Sequence, residues 1–189
     1  YLKNVGINAK KAFEKKIDTK IKNKVLDKFA YLINKNKFKI VNQNKKDIKF
    51  AKKKGLKENL LKRLILDINK INQIIKSIKI IRKLKDPVDV TLSQSIRPNG
   101  LKIKKVTIPL GVIGIIYESR PNVTSDVSSL CFKSGNSVIL RGGSEAYFTN
   151  KILANLFRKA LKDNKVDPNY VQIIGSRNRK LVDTLLSKM

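Results

Sequence analysis

Residues 109–146 decide the fold, and they read PLGVIGIIYESRPNVTSDVSSLCFKSGNSVILRGGSEA. Within them Gly111–Tyr117, GVIGIIY, is short, almost wholly apolar and rich in β-branched residues. A run of this kind predicts a strand that is buried on both faces of a sheet. A loop over Glu118–Asn122 and a helix from Val123 to Lys133 are predicted to follow, and Gly135 closes the helix.

The next part of the chain repeats this alternation. It is predicted to contain a strand over Ser137–Leu140, a loop at Arg141-Gly142-Gly143, a helix capped by Ser144 and reaching Lys162, a strand over Tyr170–Ile174 and a helix over Arg179–Lys188. Strands and helices that alternate at this spacing form right-handed crossovers and a parallel sheet. Because ligands bind beyond the carboxyl ends of such strands, we expect a site at the loops Glu118–Asn122 and Arg141–Ser144.

The first half of the chain predicts amphipathic helices. Apolar residues recur every four positions at Phe13, Ile17, Ile21, Val25, Phe29 and Ile33, and Asp18 or Thr19 can cap the longer helix. Three further helices are predicted over Lys45–Lys54 (ending at Gly55), Asn59–Leu66 and Asp67–Leu84, and Asp86-Pro87 stops the last of them. A turn at Arg97–Gly100 and a strand over Leu101–Pro109 are predicted to follow. The sequence therefore predicts an α/β fold: a helical segment over residues 1–86, then the first βαβ units of a Rossmann-like parallel sheet over residues 87–189.

The charge of the chain is strongly basic but uneven. Lys and Arg number 43 against 14 Asp and Glu, a formal net charge of +29. The stretch from residue 111 to residue 150 is neutral, with Arg120, Lys133 and Arg141 against Glu118, Asp126 and Glu145. We interpret the excess as compositional drift toward Lys on solvated faces, and we predict no specific nucleic-acid partner. A basic RNA-associating protein is the weaker alternative, because the chain has no Trp for base stacking.

The residue types exclude several kinds of site. The chain has no histidine and one cysteine, so it contains no His-based zinc site, no Ser-His or Cys-His dyad and no internal disulfide. The longest apolar stretch, Val106–Tyr117, is too short to span a bilayer. These features fit a reducing cytoplasm, and they predict no metal site and no membrane partner.

The loop sequences closely resemble those of a known family. The segments that carry this similarity are YESRPNVT, KSGN and ILRGGSE within residues 109–146, GLKENLLKRLILD (Gly55–Asp67) and KDPV (Lys85–Val88). The chain is similar to γ-glutamyl phosphate reductase, or glutamate-5-semialdehyde dehydrogenase, of the aldehyde dehydrogenase superfamily. The similarity covers essentially the whole chain. It implies an aldehyde dehydrogenase-like cofactor domain and NADPH-dependent reduction of L-glutamyl 5-phosphate to the semialdehyde, the second step from glutamate to proline. It also allows a homo-oligomer and an association with glutamate 5-kinase.

The resemblance also implies that part of the enzyme lies outside this sequence. Members of the family are a little over twice as long, and their nucleophilic cysteine follows the residues that match Met189. We therefore expect a fragment or a truncated gene product that lacks the catalytic domain and is inactive alone. An inactive, degenerate remnant of the enzyme is the alternative.

Asn122 is the catalytic candidate that the resemblance indicates. In the superfamily the Asn of this loop stabilises the oxyanion that develops on the substrate carbonyl, and a side-chain amide is suited to that role. The alternative is that Asn122 caps the helix that follows it.

Arg120 is the candidate for binding the acidic substrate, because its fork of donors matches carboxylate or phosphate. It can equally pair with Glu118 or Asp126.

The second loop is the cofactor candidate. Its counterpart in the superfamily holds the adenine ribose, so the resemblance assigns Arg141, Gly142, Gly143, Ser144 and Glu145 to NADP binding. Two glycines let a backbone approach a ligand, a helix N-terminus favours an anionic group, and Arg141 suits a 2′-phosphate. The alternative is an ordinary turn before a capped helix.

Cys131 lies on the inward stripe of its helix, and we interpret it as an inert buried thiol.

Overall fold

The computed structural model describes residues 1–175, so the predicted helix over Arg179–Lys188 lies outside the described residues. Seven helices occupy Leu2–Phe13 (α1), Thr19–Lys35 (α2), Lys37–Lys53 (α3), Glu58–Leu64 (α4), Ile68–Lys83 (α5), Pro121–Lys133 (α6) and Tyr147–Asp163 (α7) within that range. Five strands occupy Thr91–Ile96 (β1), Lys102–Val106 (β2), Val112–Tyr117 (β3), Ser137–Gly142 (β4) and Val171–Ile173 (β5) there. Short 3₁₀ turns precede α7 and β5.

The strands form two separate sheets. β1 and β2 make an antiparallel hairpin, and β3, β4 and β5 make a parallel sheet in that spatial order. The parallel pairing confirms the predicted βαβ crossovers through α6 and α7. The sequence predicted β2 but not β1, although both strands are exposed along their whole length.

The two long helices that local signals predicted are confirmed. The side chain of Asp18 accepts a hydrogen bond from the backbone of Ile21 at 2.8 Å and caps α2. The side chain of Asp67 accepts one from the backbone of Lys70 at 2.7 Å and caps α5. Each carboxylate satisfies an N–H group that the first helical turn leaves free.

The predicted start of α3 was wrong by eight residues. The helix begins at Lys37 rather than Lys45, directly after a break at Asn36. Its buried positions are Ile40, Asn44, Asp47 and Ala51. Two of these four residues are polar, so the apolar periodicity that marks a buried helix face is missing at the start of the helix.

The core lies between the helical segment and the parallel sheet. Phe29 of α2, Phe132 of α6 and Phe157 of α7 are fully buried and in ring contact, with centroids 4.5 Å apart for the Phe29–Phe157 pair and 5.7 Å for the Phe132–Phe157 pair. Burial of these rings together with the aliphatic residues packed around them stabilises the fold. The predicted boundary between a helical segment ending at residue 86 and a sheet domain starting at residue 87 stays a prediction. One apolar cluster contains residues from both sides of this boundary.

The prediction that β3 is buried on both faces was wrong. Val112 and Ile116 are 37% and 44% exposed, whereas β4 is buried from Ser137 to Arg141. β3 is an edge strand of the parallel sheet within residues 1–175, and only β4 lies between two other strands. Within the same range, no helix is long and apolar enough to cross a membrane.

Candidate active site

The two predicted loops leave the same edge of the sheet. Tyr117, the last residue of β3, pairs with Gly142, the last residue of β4. The hydroxyl of Ser119 donates to Oε1 of Glu145 at 2.6 Å and joins the two loops. The sheet therefore brings the two predicted sites side by side, as expected for parallel strands.

A groove of about 360 Å³ lies beside the first loop. We call it the α6 groove, and its lining residues are Arg63, Ile65, Leu66, Lys70, Gln73, Ile74, Ser77, Arg120, Pro121, Asn122 and Asp126. The groove brings Arg120 and Asn122 together, as the sequence predicted. It also contains Arg63 and Lys70, which the sequence did not single out, because Lys and Arg are too frequent here to mark a site.

The floor of the α6 groove is fixed by a polar network. Nζ of Lys70 donates to the carbonyl of Ile65 at 2.7 Å, which holds the ammonium at the end of α4. The buried amide of Asn44 donates to the carbonyl of Leu64 at 2.9 Å and accepts from the N–H of Leu66 at 2.8 Å. The segment between α4 and α5 is thereby held against α3.

Asn122 does not cap α6, so that alternative was wrong. The helix begins at Pro121, and Asn122 is its second residue. Nδ2 of Asn122 donates to Oδ2 of Asp126 at 3.2 Å. The residue at the cap position is Arg120, whose side chain makes no capping hydrogen bond. A proline at the first helical position suits this start, because its ring fixes the helical φ.

Arg120 is exposed at the mouth of the α6 groove. Among residues 1–175 it forms no ion pair, with Glu118, with Asp126 or with any other carboxylate. The alternative of a structural ion pair therefore has no support in the described residues.

Arg141 lies inside the fold. It belongs to β4 and is 5% exposed. One guanidinium nitrogen, Nη1, donates to the carbonyl of Gly142, and Nε has no partner among the described residues. Its neighbour Tyr117 shares a hydrogen bond of 2.6 Å with the hydroxyl of Thr124, and burial raises the pKa of Tyr117 to about 12.

The two glycines of the second loop are needed for space. A Cβ on Gly142 would lie 2.1 Å from Nδ2 of Asn150, and a Cβ on Gly143 would lie 2.1 Å from Oε1 of Glu145. Asn150 is buried and accepts from the hydroxyl of Thr124 at 3.0 Å. Side chains of this chain therefore already lie against both glycines.

The predicted helix cap at Ser144 was wrong. Ser144 starts a 3₁₀ turn, and α7 begins at Tyr147. Asp47, fully buried on α3, accepts from the backbone of Phe148 at 3.0 Å, from the backbone of Thr149 at 2.8 Å and from the hydroxyl of Thr149 at 2.6 Å. A carboxylate from the helical segment thus occupies the place that an anionic ligand would take.

A pocket of about 140 Å³ remains beyond β4 and β5. We call it the β4 pocket, and Gly142, Gly143, Ser144, Asn150, Lys151 and Asn155 are among its lining residues. Hydroxyl, amide and ammonium groups of this kind can bind ribose hydroxyls and a phosphate. Arg141 does not line this pocket, and the carboxylate of Glu145 is held by Ser119.

Cys131 is buried on the opposite side of α6 from the groove, which agrees with the prediction of an inert thiol. Burial raises its pKa to about 11. A thiol with this pKa is almost entirely protonated near neutral pH, so it is a poor nucleophile.

The fold first identifies the class of protein. A probable aldehyde dehydrogenase from Listeria monocytogenes matches with a TM-score of 0.70 at 14% identity, over 98% of this chain and 38% of that chain. Together with the parallel sheet, this match identifies the fold as that of the N-terminal part of aldehyde dehydrogenases.

The similar sequences indicate a narrower group within the aldehyde dehydrogenase fold. The gamma-glutamyl phosphate reductase of Sulfurihydrogenibium sp. is 42% identical over 188 residues, which are 98% of this chain and 42% of that protein. The crystal structure of gamma-glutamyl phosphate reductase from Thermotoga maritima matches with a TM-score of 0.92 and 37% identity, over 96% of this chain and 44% of that chain. The chain is therefore homologous to the N-terminal part of the gamma-glutamyl phosphate reductases, and it spans less than half of their length. No protein-family model matches it.

Proposed function

We propose that this chain forms the N-terminal part of an enzyme that reduces L-glutamyl 5-phosphate to L-glutamate 5-semialdehyde with NADPH and releases phosphate. The observation that carries the proposal is the α6 groove, which is lined by both Arg120 and Asn122. The names of its homologues support the same reaction. The groove opens beside the carboxyl end of β3, where ligands of parallel sheets bind.

In this proposal Asn122 stabilises the developing oxyanion. Reduction of an acyl group passes through a tetrahedral arrangement in which the carbonyl oxygen becomes negative, and an amide donor fixed at that point lowers the barrier. Nδ2 carries two hydrogens, and one of them is directed at Asp126. The other is free to donate to the substrate.

The cations of the α6 groove bind the anionic groups of the substrate. Arg120 presents planar guanidinium donors, which suit a phosphate or a carboxylate. Arg63 and Lys70 line the same groove and add positive charge. A substrate with a phosphate and a carboxylate has the complementary charge, which favours binding and on-rate.

The β4 pocket is where we propose that the cofactor binds. When bound, NADPH supplies the hydride. Ser144 and Lys151 have the donors for ribose hydroxyls and a phosphate, and the backbone of Gly142 and Gly143 lines the pocket. The cofactor roles predicted for Arg141 and Glu145 stay predictions. We assign the 2′-phosphate contact to Lys151, because Arg141 is buried beneath the loop.

The remaining parts of the proposal concern the whole enzyme. A homo-oligomer is supported by the β1–β2 hairpin, which exposes Leu92, Ile96 and Leu101 by 59%, 63% and 57%. Exposed apolar patches of this kind are typical of interfaces. A cytoplasmic location stays a prediction from the residue composition, and an association with glutamate 5-kinase stays a prediction from the resemblance.

The experiment uses a full-length reductase that carries this sequence as its N-terminal part. NADP-coupled absorbance with glutamate semialdehyde and phosphate measures turnover. Asn122→Ala is expected to lower kcat by about 10²- to 10³-fold with little change in KM, because the interaction strengthens only in the transition state. Asn122→Asp is expected to lose at least as much, since it places a negative charge beside the oxyanion.

The matched control is Asn59→Ala, since Asn59 is exposed and is the second residue of α4, as Asn122 is of α6. It should leave kcat unchanged. An Asn122→Asp variant with wild-type kcat would contradict the oxyanion role. A folded full-length protein without turnover would contradict the proposal and favour the inactive remnant.

A further inference from the structure

Asp126 is an acidic group in a basic groove. Cations outnumber acids 43 to 14 in this chain, so compositional drift does not explain a carboxylate at this position. Arg63, Lys70 and Arg120 line the same groove, yet Asp126 forms no ion pair with any of them. Instead its Oδ2 accepts from Nδ2 of Asn122 at 3.2 Å. No direct ion pair with these cations therefore fixes the position of the carboxylate.

The carboxylate is held on a rigid element. Asp126 lies four residues after Asn122, so the two side chains share one face of α6. Its Oδ1 is buried and has no partner among the described residues, which leaves Oδ2 as the oxygen that is hydrogen-bonded. On the other side of the helix, the buried hydroxyl of Thr124 bonds to the side chains of Tyr117 and Asn150 and ties α6 to β3 and α7. The position of the carboxylate is thus set by the helix and not by a loop.

The identity of the partner determines which end of the Asn122 amide faces the substrate. A side-chain amide has a donor end and an acceptor end of nearly the same shape. An ionised carboxylate can only accept, so it binds the NH₂ end. With one N–H on Asp126, the second N–H remains for the groove. A flipped amide would present its carbonyl oxygen, which would repel an oxyanion.

We propose that Asp126 is a positioning residue for Asn122: it fixes the side-chain amide so that an N–H group faces the reacting oxygen. This inference rests on the proposed oxyanion role of Asn122 and adds a residue that neither the sequence motif nor that proposal assigns. Asp126 itself does not contact the substrate in this arrangement.

The test is a double-mutant cycle in the full-length reductase described above. Asp126→Ala is expected to lower kcat by about 10-fold, the usual scale for removing a partner that orients a functional side chain, with KM nearly unchanged. In the Asn122→Ala background the same change should have no further effect on kcat, because Asp126 acts through the amide. Asp126→Asn keeps the shape but can both donate and accept. It should therefore lose activity while the protein stays folded.

Asp163→Ala is the matched control, because Asp163 forms an i,i+4 pair with Lys159 on α7, away from the groove. It should leave kcat unchanged. If Asn122→Ala leaves kcat unchanged, the proposed oxyanion role fails, and this inference fails with it. If Asn122→Ala lowers kcat but Asp126→Ala does not, only the inference is overturned. The same holds if Asp126→Ala lowers kcat equally in both backgrounds, because Asp126 would then act independently of the Asn122 amide.

An independent readout is available on the 189-residue chain. In ¹⁵N NMR spectra the two protons of the Asn122 side-chain amide should differ strongly in shift, since one is hydrogen-bonded and the other is not. Asp126→Ala and Asp126→Asn should both reduce this difference while the backbone spectrum stays dispersed. An unchanged side-chain amide pair in both variants would contradict the positioning role.

Discussion

The N-termini of α6 and α7 lie at the same edge of the sheet, but they differ in how they are capped. α7 receives a buried carboxylate from α3, because Asp47 accepts from Phe148 and Thr149 across 101 and 102 residues of sequence. α6 begins at a proline, and Arg120 at its cap position makes no side-chain capping bond. The positive end of a helix attracts anions, and here only α7 has a protein anion on it. An anionic ligand that is held by a helix N-terminus at this edge is therefore expected at α6 and not at α7.

The first prediction concerns the cap that distinguishes the two helices. Asp47→Ala should lower the free energy of unfolding by about 3 kcal/mol, because it removes a helix cap and leaves buried donors without a partner. Urea unfolding of the chain followed by circular dichroism measures this loss. The control is Asp18→Ala, which removes an exposed cap and should cost only about 1 kcal/mol. Equal losses would show that Asp47 is no more than an ordinary cap.

The second prediction concerns the tight packing of the loop before α7. Gly142→Ala should destabilise the chain by about 2 kcal/mol, because the added Cβ must displace the buried amide of Asn150. Gly175→Ala is the matched control, since a Cβ there meets nothing within 4 Å, and it should change stability by less than about 0.5 kcal/mol. A Gly142→Ala variant as stable as the control would mean that the loop is not packed as described.

The third prediction contrasts the two faces of α6. Cys131 lies on the core face, and burial raises its pKa from 9.0 to about 11. Its thiolate fraction at pH 8, and hence its alkylation by iodoacetamide, should be about 100-fold lower in the native chain than in urea. Mass spectrometry of timed samples measures both rates. Equal rates would place Cys131 on an open surface and would remove the contrast.

The sequence predicted the features that depend on neighbouring residues. Asp18 and Asp67 cap α2 and α5 as expected, because a capping carboxylate and its N–H partner lie three residues apart. The parallel strands were predictable from their apolar runs. In contrast, Asp47 caps a helix that begins a hundred positions further along the chain. No local pattern marks such a pair.

The sequence also predicted only part of the candidate site, because some of its residues come from distant parts of the chain. The motif placed Arg120 and Asn122 beside the carboxyl end of β3, and both line the α6 groove. Arg63 and Lys70 come from the helical segment, where basic residues are common, and only the packing of α4 and α5 brings them to the groove. The burial of Arg141 was also unpredictable, because an arginine near the end of a strand is usually exposed.

The most direct test of the α6 groove as an anion site is a titration of the ¹⁵N-labelled chain with inorganic phosphate at constant ionic strength, with chloride as the reference anion. The backbone amide shifts are expected to concentrate at the start of α6, around Asn122, where the helix begins without a capping carboxylate. The amides of Phe148 and Thr149 should barely move, because Asp47 already occupies them. Shifts at Phe148 and Thr149 as large as those at Asn122 would contradict the assignment of the α6 groove as the site for anionic ligands.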